Sequence, residues 1–334
     1  MRIGLIARYG NSGLGTLSWE FARHLKPAKV LLITNKAEQV FPERFSGYDT
    51  MQARQPFFMF PDEMEWITSD VDLVLSFETF YNSRVVSHAR KKNVRSVLVT
   101  MAELFPEKFP ITPSLFLCPS KLDMDLVPEP KVFLPIPVAT DRLLWKRREK
   151  ANVFIHSASH GGIDSTRKGT GALLAAMKQV KSDIKLRIFT WAPFEINDPR
   201  IEIVAVNFKN YWQLWREGDV LIYPQGANGI CLPIIEAMSC GLGVITTDQY
   251  PFNEYMPKEL LFEPERFEKM RYSGNFKEVN GPIIDPGKIA EKIDEFAGKD
   301  ISRFSNYGKQ WAKENSWDAL LPNYLEVFEN LCQR

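Results

Sequence analysis

Short apolar runs rich in β-branched residues alternate with stretches of helical spacing, and the alternation passes through the chain twice. Residues 2–7 form the first run, and 16–25 follow with Leu17, Phe21 and Leu25 at helical intervals. Further strands are predicted at 29–34, 71–77, 95–100, 115–118 and 131–134, with a helix over 83–92 that Asn82 can cap. After a polar, basic stretch the pattern restarts. Strands are predicted at 153–158, 185–190, 201–206, 220–223 and 243–247, and helices over 170–180 and 233–239, the latter closed by Gly241. Trp311, Trp317, Leu321, Tyr324, Val327 and Leu331 carry helical spacing through 301–331. Strands separated by helices imply a parallel sheet covered on both faces. The fold class is therefore α/β, with two Rossmann-like domains placed at 1–140 and 150–316 and a linker near 138–150. Open sheets of this kind take ligands at the carboxyl ends of their strands, so the expected site is a cleft between two facing domains.

Composition narrows the partners. The chain has 334 residues, 45% of them hydrophobic, enough for two cores at roughly 100–200 residues per domain. Lys plus Arg is 42 against 41 Asp plus Glu, a net charge of +1. That balance supplies no global field toward nucleic acid or anionic lipid. The basic clusters at 84–95 and 146–150 read as solvated faces, and any membrane contact as peripheral at most. The apolar run at 3–7 is too short for a leader core, and no stretch approaches the ~20 apolar residues of a membrane helix. Cys118, Cys231, Cys240 and Cys332 fit no metal spacing and read as reduced thiols, so a cytoplasmic protein is expected. His24 and His88 fall in helices and His156 inside a strand, where core roles are expected.

Three loops carry chemistry. In the first, the strand at 220–223 runs through Gly226-Ala-Asn-Gly-Ile-Cys-Leu-Pro233 into a helix. Pro233 suits a first helical turn because its missing N–H would be unpaired there. The free N–H groups of Gly229, Ile230, Cys231 and Leu232, with the helix dipole, favour an anion at that end. Glu236 follows, placed to accept two hydrogen bonds from a vicinal diol such as ribose. The second loop, 160–171, contains His160, Arg167 and Lys168-Gly169 between a strand and a helix. The third, Tyr9-Gly-Asn-Ser12-Gly13-Leu-Gly15, follows the first strand, and its glycines permit close approach to a phosphate or sugar.

The stretch from Gly226 to Asp248 resembles the signature of retaining GT-B glycosyltransferases of the glycogen-synthase-like, group 1 kind: Glu-Gly-Phe-Gly-Leu-Pro-x-x-Glu-Ala-Met-Ala-Cys-Gly-x-Pro-Val-Ile. The resemblance gives Glu236 the second glutamate of that pair, which holds the nucleotide ribose. Asn228 stands where the first glutamate, which touches the transferred sugar, would be. Lys168-Gly169 matches the Lys-Gly that opens a helix against the donor diphosphate, with Arg167 beside it as the second cation. These cations face charge that grows on the leaving group. Ser12-Gly-Leu-Gly15 is similar to the family's Gly-Gly-x-Gly loop. Leu134-Pro-Ile-Pro-Val-Ala-Thr-Asp141 resembles the stretch that ends the first domain. Ser316-Trp-Asp318 resembles the turn before a last helix, here 317–334, that crosses back to the first domain. The family's histidine after a middle strand of that domain has no counterpart. Glu78 and Glu103, at strand ends, are the acceptor-side candidates.

The resemblance implies transfer of a sugar from a UDP-, GDP- or ADP-linked donor with retention, and with no metal or other cofactor. The acceptor stays open among glycan, lipid, small molecule and nucleic acid. The alternatives are a nucleotide-sugar-binding protein of weak or lost catalysis, a nucleotide-sugar epimerase, a sugar phosphorylase and a phage-type DNA-base glycosyltransferase.

Overall fold

The computed structural model describes residues 1–34, 39–159, 167–226, 228–271 and 274–333. The chain divides into two compact units. The first comprises Met1–Ile136, Tyr272–Lys277 and Leu320–Arg334, and the second Pro137–Arg271 and Glu278–Ala319.

In the first unit, β1 (Ile3–Arg8), β2 (Lys29–Ile33), β3 (Asp49–Gln52), β4 (Leu73–Phe77), β5 (Arg95–Val99), β6 (Leu115–Cys118) and β7 (Lys131–Phe133) pair in parallel in the order β3-β2-β1-β4-β5-β6-β7. Helices α1 (Gly13–Leu25), α2 (Pro61–Ile67), α3 (Arg84–Lys91) and α4 (Lys121–Leu126) lie in the connections. Strands β1, β2 and β4 are buried at every position, as expected of strands covered on both faces.

In the second unit, β8 (Val153–Ser159), β9 (Lys185–Thr190), β10 (Ile201–Ala205), β11 (Val220–Tyr223), β12 (Gly243–Thr247) and β13 (Leu261–Phe262) form a parallel sheet in the order β10-β9-β8-β11-β12-β13. Helices α5 (Thr170–Met177) and α6 (Leu232–Ser239) follow β8 and β11. β14 (Arg266–Met270) and β15 (Val279–Ile283) make a separate antiparallel pair, followed by α7 (Pro286–Phe296) and α8 (Ser302–Glu314).

The predicted helical stretch over 301–331 is two helices. It breaks at Asn315–Ser316, where the Ser316 hydroxyl accepts from Ala319 N at 3.2 Å and opens α9 (Trp317–Gln333). From Leu320 onward α9 belongs to the first unit. There the buried Tyr324 donates to the Pro135 carbonyl at 2.9 Å and meets Phe21 edge-on at 5.4 Å. That is the expected return of the last helix.

Candidate donor and acceptor sites at the carboxyl edges of the sheets

From β8 the chain turns one way to β9 and β10, then restarts on the other side of β8 with β11. The connections after β8 and β11 therefore diverge, and a crevice opens at the carboxyl ends of these two strands. Both loops carrying the sequence motif of the second unit emerge there. They are bound to each other: Gly226 N donates to the Arg167 carbonyl at 3.0 Å. Gly169, at φ +67°, packs so closely that an added Cβ would lie 1.9 Å from the Pro224 carbonyl oxygen. Only glycine meets both conditions. His160 lies outside the described residues.

Lys168 enters from the β8 side, its Nζ donating to the Ala158 carbonyl at 3.0 Å. Burial, reinforced by the neighbouring Arg167 charge, lowers its pKa to about 8. Across the crevice, α6 begins from Cys231 in the left-handed region at φ 52°, with Pro233 in the first turn. Asn228 braces this entry. Its Oδ1 accepts from Ile230 N at 3.2 Å and Cys231 N at 3.0 Å. Two of the N–H groups expected to face an anion are thus held by a side chain of the same loop. Gly229 and Ile230 are buried and Leu232 is half-buried. Glu236 lies one turn further along α6, almost buried, and its Oε2 accepts from Trp215 Nε1 at 3.0 Å.

His156 sits wholly buried in β8. Its Nδ1 lies 2.9 Å from the Ile222 carbonyl and its Nε2 2.9 Å from Thr170 Oγ1, and burial lowers its pKa to about 4. A neutral imidazole here ties β8 to β11 and to the start of α5. Gln249 clamps the same loop from the end of β12, donating to the carbonyls of Gln225 and Gly226 at 2.7 and 2.8 Å.

The first unit has its own switch point, between β1 and β4. Ser12 caps α1, accepting from Gly15 N at 3.2 Å, and Gly13 is exposed. Gly15 is required by packing, since an added Cβ would lie 2.0 Å from the Gly10 carbonyl oxygen. Glu78 directly follows β4, half-buried, with φ 64°. Glu103 follows β5 and is buried in a 3-10 turn. Lys26, Asp70 and Asn93 adopt left-handed backbone in turns after helices. Among the described residues, the other non-glycine residues in that region gather at the carboxyl edges: Phe57, Glu78 and Tyr81 in the first unit, Ser159 and Cys231 in the second. Backbone strain of this kind persists only where the surrounding structure holds it in place.

Residues 157–271 match the family model described as Glycosyl transferases group 1. No curated protein matches the chain by sequence. Among solved structures, Anabaena HepE in complex with UDP-glucose superposes with a TM-score of 0.71 at 13% identity, covering 99% of this chain and 100% of that one. Sucrose-phosphate synthase from Thermosynechococcus elongatus gives 0.65 at 14% identity, covering 99% of each. At these identities the likeness establishes the two-unit GT-B fold.

The second unit brings Arg167, Lys168 and Asn228–Leu232 to one crevice, with Glu236 on the helix that opens from it. Trp215, Gln225 and Gln249 were not legible in the sequence. Trp215 lies in a 3-10 turn before β11, and nothing in its spacing links it to a carboxylate 21 residues later. Among the described residues, no group of three His, Cys, Asp or Glu side chains is placed to hold a metal ion. Nor is any described helix long and apolar enough to cross a membrane.

Proposed function

We propose that the chain transfers a sugar from a nucleoside-diphosphate donor to an acceptor hydroxyl, with retention and without a metal ion. The observation that carries this is the meeting of Lys168 and the Asn228–Leu232 loop at one switch point, with Glu236 anchored behind. A cation there suits a diphosphate, and a carboxylate on the helix suits ribose hydroxyls. HepE was solved with UDP-glucose, which supports UDP as the base to try first.

In the proposed step, the acceptor oxygen attacks C1 on the face the diphosphate leaves. The C1–O bond to phosphate breaks as the new glycosidic bond forms, and the hydroxyl proton passes to the departing phosphate oxygen. Lys168 and Arg167 offset the charge that develops on it. Calorimetry with UDP-, GDP- and ADP-glucose, followed by product analysis at the anomeric carbon, tests the reading. Absence of binding by all three, or an inverted product, would refute it.

A second reading, donor binding with weak catalysis, is favoured by one observation. Asn228, in the place of the sugar-contacting glutamate, already spends its carbonyl oxygen on loop N–H groups. Hydrolysis of bound donor without acceptor separates the two.

A further inference from the structure

Residues Gln55–Phe58 form a tight turn closed by a bridge between its ends, with Pro56 and then Phe57 at its corner. Phe57 takes φ 56°, the left-handed position that glycine normally fills after a turn proline. Phe57 is 51% exposed and Phe58 41% exposed. A phenylalanine at such a corner costs the fold twice, in backbone strain and in wetted apolar surface. Yet the ring is held in place. The Arg8 guanidinium lies 4.8 Å from its centroid, and the Tyr81 ring lies at 6.5 Å with a 32° tilt.

Arg8 ends β1, and Tyr81 belongs to the loop after β4, so the rings stand over the switch point of the first sheet. Tyr81 and Glu78, both with left-handed backbone, share that loop.

We propose that Phe57 and Tyr81 form an aromatic shelf that binds a saccharide, the acceptor class of the proposed transfer. A pyranose presents a face of C–H groups, which suits the negative face of an aromatic ring. Pre-ordered rings over a strand-end crevice lose little entropy on binding. The acceptor role rests on the transferase reading, whereas saccharide binding by the shelf does not.

The test uses the full chain with maltose, cellobiose and lactose, read by saturation-transfer NMR. Transfer to sugar ring C–H protons is expected in the parent, a fall of roughly tenfold in Phe57→Gly, and recovery in Phe57→Trp. Glycine suits the turn, so the Tm of Phe57→Gly should stay within about 4 °C of the parent. UDP affinity, measured separately by calorimetry, should be the same in both. Loss of UDP binding by the parent itself would sink the donor reading and leave the shelf standing. No transfer from any of the three sugars, equal transfer in Phe57→Gly, or a larger drop in Tm would overturn the proposal. So would Phe57-dependent self-association or binding to phosphatidylcholine vesicles in place of sugar binding.

Discussion

Trp215 donates its indole N–H to Oε2 of Glu236 across 3.0 Å, and both side chains are almost wholly shielded from water. Trp215 is itself anchored by the buried Arg148, whose Nη2 donates to the Trp215 carbonyl at 3.2 Å and whose Nε donates to the Gly218 carbonyl at 2.9 Å. Glu236 is therefore oriented before any nucleotide arrives.

Trp215→Phe should keep the fold and weaken UDP binding about tenfold, since a hydrogen bond to a charged group is worth about 1.5–3 kcal/mol. Glu236→Gln should weaken it by a similar factor. Because the pair acts as a unit, the double variant should be no weaker than Glu236→Gln alone. Calorimetric affinities that simply multiply would show that the two residues act separately.

Lys168 predicts how affinity depends on pH. With its pKa lowered to about 8 in the free protein, the ammonium is charged below that pH and loses its proton above it. A bound diphosphate stabilises the charged form, so binding above pH 8 must take up a proton. UDP affinity should be flat from pH 6.5 to 7.5 and fall by up to about tenfold per unit beyond 8. Lys168→Met should bind more weakly and lose this slope. A parent profile that stays level to pH 9.5 would remove Lys168 from contact with the phosphates.

Asn228 is predicted to brace the loop as well as serve the site. Asn228→Ala strands the N–H groups of Ile230 and Cys231 and should cost about 1–2 kcal/mol of stability. It should also lower turnover of intact donor. Asn228→Asp keeps the acceptor oxygen and should keep the melting temperature, while its added charge disfavours the diphosphate. If thermal scans give Asn228→Ala the parent's stability, the brace contributes nothing.

His156 should make the protein acid-sensitive. Its pKa is near 4 when folded and about 6.5 when unfolded. Between those values the unfolded chain binds the extra proton, so stability is complete above pH 6.5 and declines as pH falls toward 4. The loss should approach about 3 kcal/mol. Urea midpoints at pH 7 and pH 4.5 for the parent and His156→Gln check this. The gap between the two proteins should shrink at the lower pH.

Much of this was readable in the chain itself, because it is local. A strand covered on both faces must be apolar throughout, so β1, β2, β4 and β5 stood out, and glycine, proline and cap residues marked the loops around them. The motif at 226–241 is likewise contiguous. The exposed edge strand Asp49–Gln52 and the charged, exposed strand Arg266–Met270 left no such trace, since neither has two buried faces to fill, and Val279–Ile283 is interrupted by Gly281 and Pro282. Helical periodicity alone ran unbroken across Asn315–Ser316, where capping by one hydroxyl starts a new helix, and it was the Ser316-Trp-Asp318 motif that marked the break.

What the sequence determined by itself was the α/β alternation and the identity of the loops at strand ends. What only the tertiary structure decided was which strands stand side by side: β4 beside β1, and β11 beside β8. Those pairings join residues far apart in the chain, and local propensity carries no information about them. They bring the Tyr81 loop to the end of β1, seat Lys168 near the Asn228 loop and tie His156 of β8 to β11, so that its burial, not its sequence neighbours, sets its charge.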